Sequence, residues 1–543
     1  MRGLMMDSAL TVPAILRRAE TLFGARDVVS RRADRRLDRS TYAACGARAR
    51  RLAAALRRLG VAPGDRVATL CWNHAAHLEA YFGIPLAGGV IHTLNLRLPP
   101  EDLAYIINHA GDRVLIVDAS LLPLFERIKD LVALPHTIVV GEHGSLTPDL
   151  LDYDRLLDQA DPAPVDLPEP DERDAAAMCY TTGTTGRPKG VLYSHRALVL
   201  HSLAIALPDA LDLREADTIL PVVPMFHANA WGLPYTAALV GAKLVLPGPY
   251  LDPPSLVDLF QAERVTIAAG VPTIWMGLLQ LLDDHPGAWD LSSLRALLVG
   301  GSAAPQAMIE AFDRRHGLQI VHAWGMTETT PAGTVSRLAP DQAGEPAEER
   351  YRSRARQGRP LPFIEIRARG DDGLVPWDGR TMGELEVRGP WVAGAYFDAH
   401  DSADRFTDDG WFRTGDIVTI DARGSIALTD RAKDLIKSGG EWISSVALEN
   451  ALMGHPDVAE AAVVPTADAR WGERPLAVVV VKPGRTVTAD ALRAFLAPAF
   501  PKWWLPEAVE FVSEIPRTSA GKFKKSALRE RFGGTRPPET CDP

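Results

Sequence analysis

Apolar and polar positions along the chain follow two alternating periods. Residues 47–59 repeat apolar positions three and four apart, which predicts an amphipathic helix, and 66–71 is a short apolar run that predicts a buried strand. The pair recurs as a helix over 102–110 and a strand over 113–117, the alternation expected of α/β layers. Strands follow at 175–180 and 294–299; the second runs through a Gly300-Gly301 loop into a helix ending at His316, then a strand over 318–323. Residues 218–242 carry no Asp, Glu, Lys or Arg, yet Pro221, Pro224, Pro234 and His227 interrupt them. That stretch reads as buried strands and loops, not a membrane span.

From 358 to 426 glycines become frequent and the runs short and β-branched, as in a small β-rich subdomain. The charged segment 430–434 reads as a hinge. Beyond it helix 446–453, strands 461–464 and 476–481, and helix 489–497 make a separate α+β pattern. The expectation is therefore an α/β protein with a large multi-subdomain N-terminal domain, 1–429, built of two α/β layers plus the β-rich part. A small mobile C-terminal domain, 435–543, completes it, with 535–543 disordered.

Composition narrows the functional class. A chain of 543 residues exceeds one ordinary core and has room for a deep site. A net charge of -10 without a sustained Lys/Arg block argues against a nucleic-acid partner and for small-molecule chemistry. Cys45, Cys71, Cys179 and Cys541 show no metal-ligand spacing, and the first thirty residues lack a secretory pattern, so a reducing cytoplasmic setting without an integral membrane segment is expected.

Residues 181–190 concentrate the candidate chemistry: Thr181, Thr182, Gly183, Thr184, Thr185, Gly186, Arg187, Pro188, Lys189, Gly190. Glycines let backbone N–H groups approach phosphate oxygens, while hydroxyls and a lysine add donors and charge. The P-loop alternative fails, because Pro188 stands where its second glycine belongs and Gly190 replaces the magnesium-holding hydroxyl. A flexible surface loop has the same composition, but the strand at 175–180 favours a phosphate grip.

These residues, together with Pro224-Met-Phe-His227, Gly300-Gly-Ser302, Trp324-Gly-Met-Thr-Glu328, Thr414-Gly-Asp416, Asp430-Arg-Ala-Lys-Asp434, Lys437-Ser-Gly-Gly440 and Pro516 through Lys522, resemble the adenylate-forming superfamily. That superfamily includes acyl-CoA synthetases, luciferases and peptide-synthetase adenylation domains. Residues 224–231 and 437–444 are most similar to medium- and long-chain fatty acyl-CoA synthetases, and also to ligases of 3-methylthiopropionate. The resemblance implies that ATP and a carboxylate form acyl-AMP and pyrophosphate, after which coenzyme A displaces AMP.

It also implies roles. Lys522 would meet the carboxylate and α-phosphate, although in a basic run with Lys524 and Lys525 it reads locally as a solvated lysine. Glu328, with Thr184, would hold Mg2+; on local sequence alone a helix-capping acid after Thr327 is the lesser reading. Asp416 would accept from ribose hydroxyls, and Arg431, Lys437 and Trp442 would stand near the nucleotide. Around the nucleotide the resemblance also gathers Gly300, Gly301, Ser302, His322, Ala323, Trp324, Gly325, Met326 and Thr327. Trp324 departs from the tyrosine common at its position, and its surroundings are closer to short- and medium-chain ligases. His227 would position the acyl carboxylate without acting as a base, since a carboxylate needs no deprotonation at neutral pH. Trp231, Gly325, Trp391, Gly439 and Gly440 would line the acyl and CoA passage, and Lys433 would be the hinge residue. Homodimers occur among such enzymes, so one is expected here. A luciferase or monooxygenase and a carrier-protein loading module are the rival functions.

Overall fold

The structure is a computed structural model that describes residues 1, 3–161, 169–181, 187–399, 404–432, 434–438, 441–468, 470–517 and 522–533. Residues 535–543 and the expected site residues Thr182, Gly183, Thr184, Thr185, Lys433, Gly439 and Gly440 lie outside these.

Two sheets form the α/β layers. In the seven-stranded sheet, strands Leu150–Asp152, His136–Val140, Val114–Asp118, Arg66–Leu70, Val90–Thr93 and Ala175–Tyr180 run parallel in that order, and Gly190–Ser194 closes one edge antiparallel. In the nine-stranded sheet the parallel centre runs Gln319–Gly325, Ala296–Val299, Ile267–Gly270, Thr218–Pro221, Lys243–Leu246 and Asp27–Arg31. Antiparallel strands cap both its edges. Strands buried on both faces need continuous apolar runs, which is why 66–70 and 296–299 show no polar alternation.

Helix Tyr42–Arg58 shows how the layers are covered. Cys45, Ala49, Leu52, Ala53 and Leu56 form one buried stripe, and the Thr41 Oγ1 accepts from Ala44 N to start the helix. The helix therefore begins five residues before the apolar period becomes visible at Ala47. The reading of 218–242 as strands and loops is corrected: only Thr218–Pro221 is strand, and Leu233–Val240 is a buried helix started by Pro234 in its first turn. Proline suits that position because its missing N–H would have no helical partner. Among the described residues no helix is long and apolar enough to cross a membrane.

A five-stranded antiparallel sheet, Gly373–Leu374, Glu365–Gly370, Gly383–Arg388, Phe412–Ile420 and Ile426–Arg431, forms the β-rich part. Its last strand pairs Ile417 with Asp430 and Asp416 with Arg431, so these two residues of the expected hinge are strand. Beyond them, Val458–Asp468 and Gly472–Val481 pair antiparallel, flanked by the hairpin Ile436–Ser438 and Glu441–Ile443 and by Ala508–Phe511. Helices Ser445–Met453, Ala489–Leu496 and Lys525–Phe532 cover this smaller sheet, making a large mixed α/β domain followed by a smaller one.

Candidate active site

Parallel sheets place ligand crevices beyond the carboxyl ends of their strands. Here a cavity of about 580 Å3 opens beyond strands Thr218–Pro221, Ile267–Gly270, Ala296–Val299 and Gln319–Gly325, and the smaller domain supplies its other wall. Thr181, Lys189, His227, Trp231, Gly300, Gly301 and Ser302 line it. His322, Ala323, Trp324, Gly325, Met326, Thr327 and Glu328 also line it, as do Asp416, Arg431 and Lys522.

The ends of the glycine–threonine segment are tied together. Thr181 N donates to Lys189 O at 2.9 Å, and Lys189 N donates to Thr181 Oγ1 at 3.1 Å. Thr181 and Lys189 are therefore held together at the cavity edge. The Lys189 ammonium stands 5.3 Å from the ring centre of Tyr396. The Tyr396 hydroxyl in turn donates to Glu328 Oε1 at 2.5 Å. Burial, and then the Glu328 charge, raise the phenol above its usual range, so it stays a donor.

Glu328 follows directly from the end of strand Gln319–Gly325, on the short turn Thr327–Thr329. The Tyr193 hydroxyl donates to Thr327 O at 2.7 Å, and Ala393 N donates to Glu328 O at 2.8 Å, which fix the turn. Gly325 is required just before it, because a Cβ there would stand 1.9 Å from Pro331 O. Among the described residues no group of three or more His, Cys, Asp and Glu comes together as a metal cage. One cavity-lining carboxylate suits a hard cation that takes most of its ligands from elsewhere than the protein.

Asp416 is buried, and its two oxygens have separate partners. Trp324 Nε1 donates to Oδ2 at 2.8 Å, and Arg431 Nε forms an ion pair with Oδ1 at 2.7 Å. The Asp416 charge, with Glu328 beyond it, outweighs burial and raises Arg431 above its ordinary value. A carboxylate offers about four acceptor positions, so this one retains capacity for hydroxyl donors.

His227 begins an unusual segment. Ala228, Asn229, Ala230 and Trp231 have φ of 37°, 45°, 51° and 57°, one left-handed turn that Gly232 ends. Such a turn costs L-residues about 1–2 kcal/mol each, so packing must hold it. The buried Asn229 accepts from Cys179 Sγ at 2.6 Å, and the Trp231 ring packs within 3.1 Å of the Cβ position of Gly300. Burial, then Lys522 and Arg97, depress the His227 imidazole to about 4, so it is neutral at pH 7. His322 is also neutral, pushed by burial to about 4, and accepts from Ala304 N at 3.4 Å. It braces the Gly300–Ser302 loop from behind. Lys522 crosses from the smaller domain so that its Cε lies 3.8 Å from the Cβ position of Gly301.

Among the described residues, three of the expected ones do not line the cavity: Trp391, Lys437 and Trp442. Trp391 is buried, and its Nε1 donates to Ala332 O at 3.0 Å. Lys437 and Trp442 face each other across the hairpin, with the ammonium 4.3 Å from the ring centre. Sequence reading missed Tyr396, Lys525 and Glu449. Tyr396 sits in an irregular loop with no periodic signal, and Lys525 was grouped with a solvated basic run.

Residues 18–397 match the family described as AMP-binding enzyme, and 447–522 match the AMP-binding enzyme C-terminal domain. The chain is 51% identical over 97% of its length, and 96% of the relative's, to a long-chain-fatty-acid–CoA ligase of Thermus thermophilus. It is 44% identical to a 3-methylmercaptopropionyl-CoA ligase of Ruegeria lacuscaerulensis, covering 98% and 99% of the two chains. The crystal structure of the anthranilate CoA ligase AuaEII with anthranoyl-AMP superposes with a TM-score of 0.88 at 26% identity, covering 98% of this chain and 99% of that one.

Proposed function

The chain belongs to the AMP-binding enzymes and is an AMP-forming acid–thiol ligase, and from that premise we propose how its residues activate a medium- or long-chain fatty acid. ATP and the carboxylate give acyl-AMP and pyrophosphate, and coenzyme A then takes the acyl group and releases AMP. The observation that carries the reading is the meeting of Lys522 from the smaller domain with Lys189 and Glu328 in one cavity.

In the first half-step a carboxylate approaches a polyanion, so repulsion is the main obstacle, and catalysis is mostly positioning and charge neutralisation. Lys522 neutralises the incoming carboxylate and the α-phosphate. Lys189 and the segment beginning at Thr181, with Thr182, Gly183, Thr184 and Thr185, hold the pyrophosphate that leaves. Asp416 accepts from the ribose hydroxyls, oriented by Trp324 and Arg431. Neutral His227 donates to the acyl carboxylate without taking a proton. Trp231 lies at the acyl entrance beside Gly300. Glu328, with Thr184, would hold Mg2+, which supplies charge neutralisation at the phosphates when bound.

For the second half-step the smaller domain turns about 432–434, including Lys433, because the strand ladder fixes the chain through Arg431. The turn removes Lys522 and brings Gly439 and Gly440 inward as the CoA passage, with Lys437 and Trp442 moving toward the nucleotide. The enzyme works in the cytoplasm, where ATP, CoA and reduced thiols coexist, and as a homodimer; a monomer mass by light scattering would reject the dimer.

The test is AMP and CoA-thioester formation over acids from propionate to palmitate. Efficiency rising towards octanoate or longer supports the fatty-acid reading. A maximum at 3-methylthiopropionate would instead favour the second reading, which the Ruegeria relative motivates. Adenylate without CoA consumption would reject the ligase mechanism.

A further inference from the structure

The basic run after Lys522 includes a buried charge that the adenylation chemistry leaves unused. Lys525 starts helix Lys525–Phe532, and its side chain is only 12% exposed. Its Nζ lies 2.7 Å from Glu449 Oε1 and donates to Ser445 Oγ at 2.5 Å. Ser445 Oγ passes the chain on, donating to Asp430 Oδ2 at 2.5 Å, and Ser445 N donates to the same oxygen at 2.8 Å. Burial lowers the Lys525 ammonium, but Glu449 and Asp430 outweigh it and hold the group above its usual range, so it stays charged.

Position along the chain gives this network its meaning. Asp430 sits on strand Ile426–Arg431, laddered to Ile417 in the large domain's sheet. Ser445 and Glu449 lie on helix Ser445–Met453 of the smaller domain. Asp430 thus places a buried carboxylate against the N-terminus of a helix from the other domain, where the helix dipole and a free N–H favour an anion. Ser444 Oγ also donates to Thr429 O, a second tie across the same junction. In contrast, Asp434 pairs with Arg529 beyond the swivel, and Glu449 accepts from Val463 N at 2.7 Å, so both remain within the smaller domain when it turns.

We propose that Asp430, Ser445 and Lys525 form an interdomain latch that positions Lys522 for adenylation and opens at each turn of the smaller domain. The proposal rests on the ligase reading and its swivel at 432–434. Lys525 stands three residues from Lys522, and Lys524 N donates to Pro516 O at 2.7 Å, so the latch fixes the base of the segment that presents Lys522. Opening does not strand a buried cation, because Lys525 takes Glu449 with it while Asp430 is released. The three are positioning residues, acting through Lys522 rather than on substrate.

The experiment measures acid-dependent pyrophosphate exchange into ATP and, separately, thiolation of supplied acyl-AMP, for Asp430→Asn, Ser445→Ala, Lys525→Met and Lys525→Arg. A misplaced catalytic group costs on the order of 10- to 100-fold, so exchange should fall by about that factor in the first three, with thiolation unchanged or faster. Lys525→Arg should restore most of the exchange, since it keeps the charge. Equal loss of both half-reactions, or exchange at the wild-type rate in Asp430→Asn, would overturn the latch. Wild-type protein without acid-dependent exchange would instead reject the ligase reading itself, so the two failures are distinct.

Discussion

At the scale of single residues, the site depends on which polar groups are already engaged before substrate arrives. Asp416 holds the indole N–H of Trp324 and the guanidinium of Arg431, so its carboxylate is oriented by two partners from separate strands. Trp324→Phe keeps the ring and removes one donor from a buried acceptor, a loss of about 1–2 kcal/mol. Titration calorimetry with AMP should therefore find affinity roughly tenfold weaker. Wild-type affinity in that variant would mean that the indole merely fills space. Tryptophan in place of the family's common tyrosine thus has a reason visible only in the fold, because Asp416 lies ninety-two positions away in sequence. Local spacing could suggest that Asp416 binds something; it could not reveal its partner.

At the scale of elements, backbone shape decides where the loops converge. The strand at 175–180 and the helix ending at His316 were legible because their apolar periods match the observed elements. The helix at 233–240 was not, since a helix buried on every side shows no amphipathic period and its prolines resemble loop signals. The left-handed turn at 228–231 was also hidden, since of its four residues only Asn229 is of a type that favours positive φ. Gly325 and Gly301 differ in a way that can be checked. Alanine at 325 would press Cβ into Pro331 O at 1.9 Å, whereas at 301 the nearest atom is 3.4 Å away and the cost is the φ of +83°. Gly301→Ala should cost about 1–2 kcal/mol, and Gly325→Ala about 3 kcal/mol or more. Thermal scans of both variants should rank them in that order, and the reverse ranking would contradict the packing described.

At the scale of the whole molecule, buried histidines set the acid limit of stability. Burial depresses His77 and His201 to about 3 and His195 and His322 to about 4. His195 and His201 also accept backbone N–H groups from Val12 and Ala332, which requires neutral rings. In the unfolded chain these groups titrate near 6.5, so below that value the unfolded state binds more protons. Their stabilisation is complete above about pH 6.5 and falls by about 1.4 kcal/mol per histidine per pH unit as pH drops toward 4. Calorimetric Tm should decline steeply across pH 6 to 4; a flat Tm there would show that these rings are protonated in the fold. Two domains meeting at one cavity also explain what sequence could not disclose. The motifs named the groups for each half-step, but only the fold shows Lys522 at the cavity while Lys437 and Trp442 stand away from it. The most direct test of that arrangement is Lys522→Ala, assayed for acid-dependent pyrophosphate exchange and for thiolation of synthetic acyl-AMP. The account predicts exchange reduced more than about 100-fold with thiolation within about threefold of wild type; equal loss of both half-reactions would contradict it.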